Sequence, residues 1–219
     1  MEDLEKLRFN IRHSAAHIMA EAVMNIFPGT KIGIGPPTSD GFYYDFDCPK
    51  QLSKDDFKDI EREMKKIIKS KRKFTGEVVS RDDAIKRFYG QEYKLEIIKG
   101  IPKNETITIW SHESWEDICK GGHVDNTNNI KAFKLLDVAG AYWKGDEKNK
   151  MLQRVYGTAW ESKEEQKKYL EKLELATKRD HRKLGVSLDL FYFDEFSPAM
   201  PFFLPRGTFI MNKLTNYMR

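Results

Sequence analysis

The run FKLLDVAGAYWKGDEKNKMLQRVYGTAW, residues 133–160, reads as two strands, Phe133 to Tyr142 and Met151 to Trp160, with a turn at Gly145-Asp146 between them. Directly after it, Ser162 and Glu165 stand at capping-box spacing and open a long charged helix, expected to run through Lys183 and to stop at Gly185. Working outward toward the N-terminus, the chain opens with a helix over Leu7 to Phe27. Ile11, Ala15, Ile18, Ala22 and Ile26 recur there at helical spacing, and Pro28-Gly29 ends it. Short strands are expected at Lys31 to Ile34 and, after the Ser39-Asp40-Gly41 turn, at Phe42 to Phe46. A second helix starts near Ser53, with Asp56 completing a capping box and Phe57, Ile60, Met64 and Ile67 on one face. It runs out in the basic stretch Lys69 to Lys73, which reads as a solvated helix end. A strand at Glu77 to Val79, a short helix from Ser80 to Tyr89 closed by Gly90, and strands at Tyr93 to Ile98 and Thr106 to Trp110 follow, before a Gly- and Asn-rich irregular segment. Strands and helices are interspersed without regular β-α-β alternation, so the fold class is α+β rather than a doubly wound parallel sheet.

Composition agrees with a globular chain. Of 219 residues, 40% are hydrophobic and 33% charged, which argues against disorder. The 38 basic and 34 acidic residues leave a net charge of +4, which permits a nucleic-acid partner without requiring one. No stretch approaches the roughly 20 apolar residues of a membrane span, and Met1-Glu2-Asp3-Leu4-Glu5 is not a signal peptide. Two cysteines, Cys48 and Cys119, make no disulfide framework, so a reducing, cytoplasmic setting is expected. Beyond Gly185 the composition shifts. Leu190 to Phe203 is crowded with aromatics and prolines, and Gly207 to Arg219 reads as the start of another helix, as in a fragment entering a second domain.

Two pairs of residues suggest chemistry. His13 and His17 lie one turn apart on the first helix, beside Ala16, Ala20 and Met24, with Ser14, Glu21 and Asn25 on the remaining polar strip. Alone they read as two partly buried structural histidines. A zinc protease of the HExxH type is excluded, because Ser14-Ala15-Ala16 separate them and offer no glutamate. Cys119 and His123 are also four apart, with Gly121-Gly122 indicating a turn. Together the four have the ligand types and number that zinc takes. The same groups could equally polarise a water for hydrolysis, since imidazole titrates near neutrality. Both readings stand at this point.

His-x3-His early in the chain with Cys-x3-His about a hundred residues later resembles the editing domain shared by threonyl- and alanyl-tRNA synthetases. Gly41-Phe42-Tyr43-Tyr44-Asp45, the run from Ala139 to Asp146, the run from Met151 to Trp160, and Lys178-Arg179-Asp180-His181-Arg182-Lys183-Leu184-Gly185 are similar to the threonyl branch. The resemblance implies an editing domain over residues 1–160, a linker helix over 161–187, and over 188–219 the start of a class II catalytic domain, with Phe202 to Gly207 leading into its motif 1 helix. It implies hydrolysis of the ester of seryl-tRNA(Thr), because a pocket distinguishes serine from threonine by only about 1–3 kcal/mol per methyl.

On this resemblance His13, His17, Cys119, His123 and Lys94 are the catalytic set; Tyr44, Asp117 and Asp45 contact substrate; and Lys120, Lys131 and Lys134 meet the tRNA acceptor end. Editing is expected to need no cofactor, with zinc at His13, His17, Cys119 and His123 as the alternative. ATP, magnesium and zinc are expected only for the parent enzyme's missing catalytic domain, through which that enzyme is expected to form a homodimer, so the chain should not aminoacylate. The non-enzymatic alternative is a tRNA-binding fragment whose editing site is degenerate. Without the resemblance, Lys94 reads as an exposed strand lysine, Tyr44 as core packing and Asp45 as support for a strand end. One departure stands out: the family usually has Arg-Gly-Pro-His where this chain has Lys120-Gly121-Gly122-His123, which frees the loop.

Overall fold

The computed structural model describes residues 2–113 and 115–218. They divide into two compact units, Met1–Gln166 and Lys167–Arg219. At the centre of the first unit is helix α1 (Glu2–Ile26), whose residues 11–23 are all buried. The expected apolar stripe is present, but burial extends right round the helix, which is the mark of a central rather than a surface helix. The alanines at 15, 16, 20 and 22 allow neighbours to approach closely. The helix starts earlier than periodicity indicated because its first turns are exposed and carry little apolar pattern.

One side of α1 is covered by a four-stranded antiparallel sheet built from β1 (Lys31–Ile32), β2 (Phe42–Asp47), β6 (Ala132–Tyr142) and β7 (Met151–Trp160), in the order β1-β2-β7-β6. Register Tyr44↔Val155 and Phe42↔Gly157 puts Phe42, Tyr44, Phe46, Val155 and Ala159 in the main core with α1. Helix α2 (Phe57–Lys69) adds Phe57, Ile60, Met64 and Ile67 to the same core. Its entry is the expected capping box: Ser53 accepts from the Asp55 and Asp56 end of the preceding turn, and Asp56 accepts from the Ser53 amide.

A second antiparallel sheet, β3-β4-β5, consists of β3 (Phe74–Val79), β4 (Ile107–His112) and β5 (Trp115–Ile118). Strand β4 is buried on both faces. Ile107 and Ile109 pack with Ala84 and Phe88 from around helix α3 (Arg81–Arg87), while Trp110 and His112 point toward aromatic rings beside α1. Strand β5, only four residues long, falls in the segment that the sequence showed as irregular; its pairing with β4 (Trp110↔Asp117) supplies the order that local sequence does not.

Residues 93–98 are not a strand but lie in helix α4 (Glu92–Gly100). The alternation Tyr-Lys-Leu-Glu-Ile suggested period two, yet the helix uses two apolar faces at once. Tyr93 and Ile97 pack on Trp143 and Leu152, while Leu95 and Ile98 pack into the α3–β4 cluster. Tertiary burial overrides the local pattern.

The long charged helix ends at Lys178 (α5, Lys163–Lys178), and Asp180 caps a separate helix α6 (His181–Ser187) through the Arg182 amide. Gly185 therefore does not terminate the helix; it lies inside α6, where a Cβ would strike the Phe191 ring at 2.1 Å. In the second unit a hairpin of β8 (Phe191–Phe193) and β9 (Pro201–Phe203) is followed by helix α7 (Pro205–Met218).

The α2 capping box gives a direct test of this local reading. Ser53→Ala is expected to cost about 1 kcal/mol in urea unfolding, since it removes the side-chain acceptor at the helix entry. An unchanged midpoint would show that the cap does not hold α2 in place.

Candidate active site

Helix α1 presents His13 and His17 with their ring centroids 4.8 Å apart. The loop leaving β5 brings His123 against both, stacked on His13 at 4.2 Å and edge-on to His17 at 4.4 Å. With Cys119 the four ligand-type atoms lie within 4.8 Å of one another. The loop turns through Gly121 (φ 86°) and Gly122 (φ 85°), a left-handed backbone that proline, fixed near −65°, cannot take. A Cβ on Gly121 would meet Trp110 at 2.8 Å, and one on Gly122 would meet Phe9 at 2.9 Å. The freedom noted in the sequence is thus used: it carries His123 into the cluster.

Hydrogen bonds orient two of the rings. His13 Nδ1 lies 3.0 Å from the Gly121 carbonyl, which can only accept, so Nδ1 carries the proton and Nε2 its lone pair. His123 Nδ1 meets Ser14 Oγ at 3.1 Å, and its Nε2 meets Cys119 Sγ at 3.1 Å. Ser14 also accepts from the Val124 amide, tying the loop to α1 a second time. His17 Nδ1 is buried and finds no partner among the described residues. Burial lowers the His13 and His17 imidazoles and takes His123 down to about 2, so all three favour the neutral form. Burial lifts the Cys119 thiol to about 12.

Beside this cluster is a buried polar trio. Lys94, 1% exposed, donates to Tyr44 Oη at 3.0 Å and is paired with Asp117. Tyr44 donates to the same carboxylate, and burial with that neighbouring charge raises the phenol well above its ordinary value. Asp117 also accepts from the Ile118 amide and lies 3.8 Å from His17 Nε2. Lys94 is therefore neither exposed nor on a strand. It leaves α4 between that helix's two apolar faces and reaches the site.

A cavity of 360 Å³ opens on these groups, lined by His13, His17, Lys94, Asp117, Cys119 and the Ile34–Pro37 turn among others. Gly35 lies against the Tyr44 ring, where a Cβ would stand 2.0 Å away. A larger hollow of 720 Å³ lies by residues 48–54, but its charged side chains pair with one another (Lys54 with Asp137, Lys150 with Asp47) and no histidine lines it.

The other site residues expected from sequence are elsewhere. Asp45, on the opposite face of β2 from Tyr44, is held by Arg154 at 2.6 and 2.9 Å and does not line the cavity; its role is to brace β2 against β7. Lys120 stands at the cavity rim with its side chain 97% exposed. Lys134 is paired with Glu61 at 3.0 Å. Lys131 lines a separate 520 Å³ groove with Lys65, Lys69 and Lys163. Sequence reading missed Ser14 as an anchor and gave no role to His112, which is fully buried and bonded to Glu21. The aromatic pair Trp110 and His112, two apart on one strand face, was the available signal.

Residues 107–156 match the family model described as "Threonyl and Alanyl tRNA synthetase second additional domain". That span includes Asp117, Cys119 and His123 but not the α1 histidines. Over its full length the chain is similar to the threonine–tRNA ligase of Borrelia duttonii (strain Ly), 47% identical over 220 residues, 99% of this chain and 38% of that protein. The threonine–tRNA ligase of Fusobacterium nucleatum is 47% identical over 95% of this chain and 34% of its own length. That of Carboxydothermus hydrogenoformans is 50% identical over 95% of this chain and 33% of its own. The chain thus spans little more than a third of the curated relatives it matches. It is a homologue of the threonine–tRNA ligases across nearly its whole length and carries the second additional domain named for the threonyl and alanyl synthetases.

Proposed function

We propose that this chain hydrolyses the ester of seryl-tRNA(Thr), with residues 1–160 as the editing domain, 161–187 as a linker and 188–219 as the start of a class II catalytic domain. The observation that supports this reading is the convergence of His13, His17, Cys119, Lys94 and Asp117 on one cavity, with His123 bonded to Cys119 and Tyr44 to Lys94 and Asp117 behind that lining. Water attacks the ester carbonyl and gives its proton to His13 Nε2, whose other nitrogen is held by Gly121. Lys94 has one ammonium hydrogen beyond those used by Tyr44 and Asp117, and it offers this to the oxygen that becomes negative. The bond from the carbonyl carbon to the ribose oxygen then breaks, and that oxygen takes the proton, leaving free serine and deacylated tRNA. Asp117, the one carboxylate among the described cavity-lining residues, attracts the ammonium of the seryl group. Ligation of threonine to tRNA with ATP belongs to the parent enzyme, and a cytoplasmic location follows from that role.

A metal-assisted version has a specific observation in its favour. The Cys and three His are donors that zinc accepts, and the His13–Gly121 bond is the kind that orients a ligating imidazole. Tetrahedral zinc sets its ligand atoms about 3.4 Å apart, so the present 4.8 Å spread would need only a small closure. Zinc held by three of these four, with the remaining position open to water, would polarise the attacking water. The degenerate-site alternative is weakened by the placement of His123, which is anchored at both ring nitrogens.

Docking of the tRNA backbone is assigned to the groove of Lys65, Lys69, Lys131 and Lys163, with Lys120 at the cavity rim. No carboxylate lines that groove, and Lys65, Lys69 and Lys163 make no ion pair among the described residues. Lys134, neutralised by Glu61, contributes less.

His13→Ala and Lys94→Ala should each lower seryl-tRNA hydrolysis by about 10²–10⁴-fold, without turning threonyl-tRNA into a good substrate. Rates are to be compared where circular dichroism shows both variants folded, because Lys94→Ala also strands a buried carboxylate. Unaltered rates in both would remove this site from the reaction. Metal analysis without chelator should find far less than one zinc per chain; stoichiometric zinc, with hydrolysis lost on its removal, would establish the metal-assisted version. Binding of an acceptor-stem RNA should weaken steeply with salt, and Lys69→Ala with Lys131→Ala should flatten the log–log slope by about 1 per lysine. A slope indifferent to both would place the backbone elsewhere.

A further inference from the structure

His17 is the one cluster imidazole with no hydrogen bond among the described residues; the Asp117 carboxylate stands 3.8 Å from its Nε2, and the packing of neighbouring rings sets its plane. Its neighbours form a closed circuit of five rings. His17 meets Trp115 at 5.1 Å, Trp115 meets His112 at 5.1 Å, and His112 meets Phe74 at 4.9 Å. Phe74 then stacks on His123 at 4.8 Å with an interplanar angle of 3°, and His123 returns to His17 at 4.4 Å. Among the described residues, only His112 in this circuit is hydrogen-bonded to a carboxylate. Its Nε2 lies 2.7 Å from Glu21 Oε2, a group that only accepts when ionised, so the His112 proton points at Glu21. Glu21 is in turn held by Arg72 at 2.6 Å, and Arg72 by Glu113 at 2.8 Å. Burial alone would raise the Glu21 carboxyl, but its bonds to His112 and Arg72 hold it below the ordinary value.

The carboxylate and the histidines share a helix face. Glu21 follows His17 by one turn of α1, as His17 follows His13, so the anchor and the reacting groups are on the same rigid strip. The opposite side of the circuit comes from β3, β4 and β5, which also deliver Asp117 and, through the following loop, Cys119 and His123. We propose that Glu21 and His112 are positioning residues for the site: their bond fixes the His112 ring, which through Trp115 sets the plane of His17 and through Phe74 backs the His123 ring that Ser14 and Cys119 hold. This rests on the hydrolytic reading of the site, and neither residue touches the cavity.

Two variants cut the bond: His112→Phe, which keeps a ring in the circuit and leaves the Glu21–Arg72 pair in place, and Glu21→Ala, which removes that pair as well. In the full chain each should lower kcat for seryl-tRNA hydrolysis by about 10–100-fold, with KM within about twofold of the parent. The double variant should be no slower than the worse single one, because both remove the same interaction. The 15N-imidazole signals of His17 and His123 should shift in both variants, whereas Leu152→Ala, a truncation in the separate Tyr93–Trp143–Leu152 cluster, should lower stability and leave those signals in place. Unchanged kcat in folded His112→Phe, additive losses in the double variant, or unmoved His17 and His123 signals would each overturn the proposal. If the unaltered chain fails to hydrolyse seryl-tRNA, the hydrolytic reading falls, and the imidazole signals alone decide whether the Glu21–His112 bond orients the cluster.

Discussion

The first unit is organised around the enclosure of residues 11–23 of α1. Thirteen consecutive residues of that helix, 11 to 23, are shielded from water, yet five of them are Arg12, His13, Ser14, His17 and Glu21. A polar group buried without a partner costs on the order of 1–3 kcal/mol, and more if charged. The surrounding elements must therefore supply partners at fixed places along the helix. Gly121 and His123 answer His13 and Ser14; His112 and Arg72 answer Glu21; and the Thr38–Ser39 backbone with the Trp160 ring answers Arg12. The His/Cys cluster is one part of a larger set of polar contacts that sew two sheets to a single helix.

The Lys94–Asp117–Tyr44 trio follows the same logic at higher stakes. An ammonium and a carboxylate, both nearly inaccessible, are stable there because each is hydrogen-bonded more than once. Removing one partner of such a buried pair typically destabilises by about 3–5 kcal/mol. A lysine kept in that position adds little to stability that an apolar residue of similar volume would not, so its retention is better understood through the cavity it faces.

How legible this was from sequence depended on which forces decided each element. Helix α2 and strands β6 and β7 were readable because their patterns, caps and turns are local. Helix α4 was not: its two apolar faces serve two different clusters, and the resulting alternation imitates a strand. Strand β5 has too few residues to announce itself and exists through its pairing with β4. Ser14 and Glu21 read only as part of a polar strip, because composition does not reveal what covers a helix, whereas both are buried and bonded. The two residue pairs of the cluster were visible by their chemistry, and Lys94, Tyr44 and Asp117 through the family resemblance. The disposition of Asp45 was settled by strand parity, which puts it back to back with Tyr44.

The two left-handed glycines between Cys119 and His123 give the site an uneven mechanical character. Glycine gives up more conformational freedom on ordering than any other residue, so a Gly-Gly segment is costly to immobilise. Half of the cluster is carried by a stiff helix locked on every side, and the other half by the stretch of backbone most inclined to wander. What restrains that stretch is its contacts with the helix itself, through His13, Ser14 and the Phe9 ring. The histidines of α1 therefore do more than line a cavity. They are the mould in which the opposing loop sets, and the site is complete only when helix and loop hold each other.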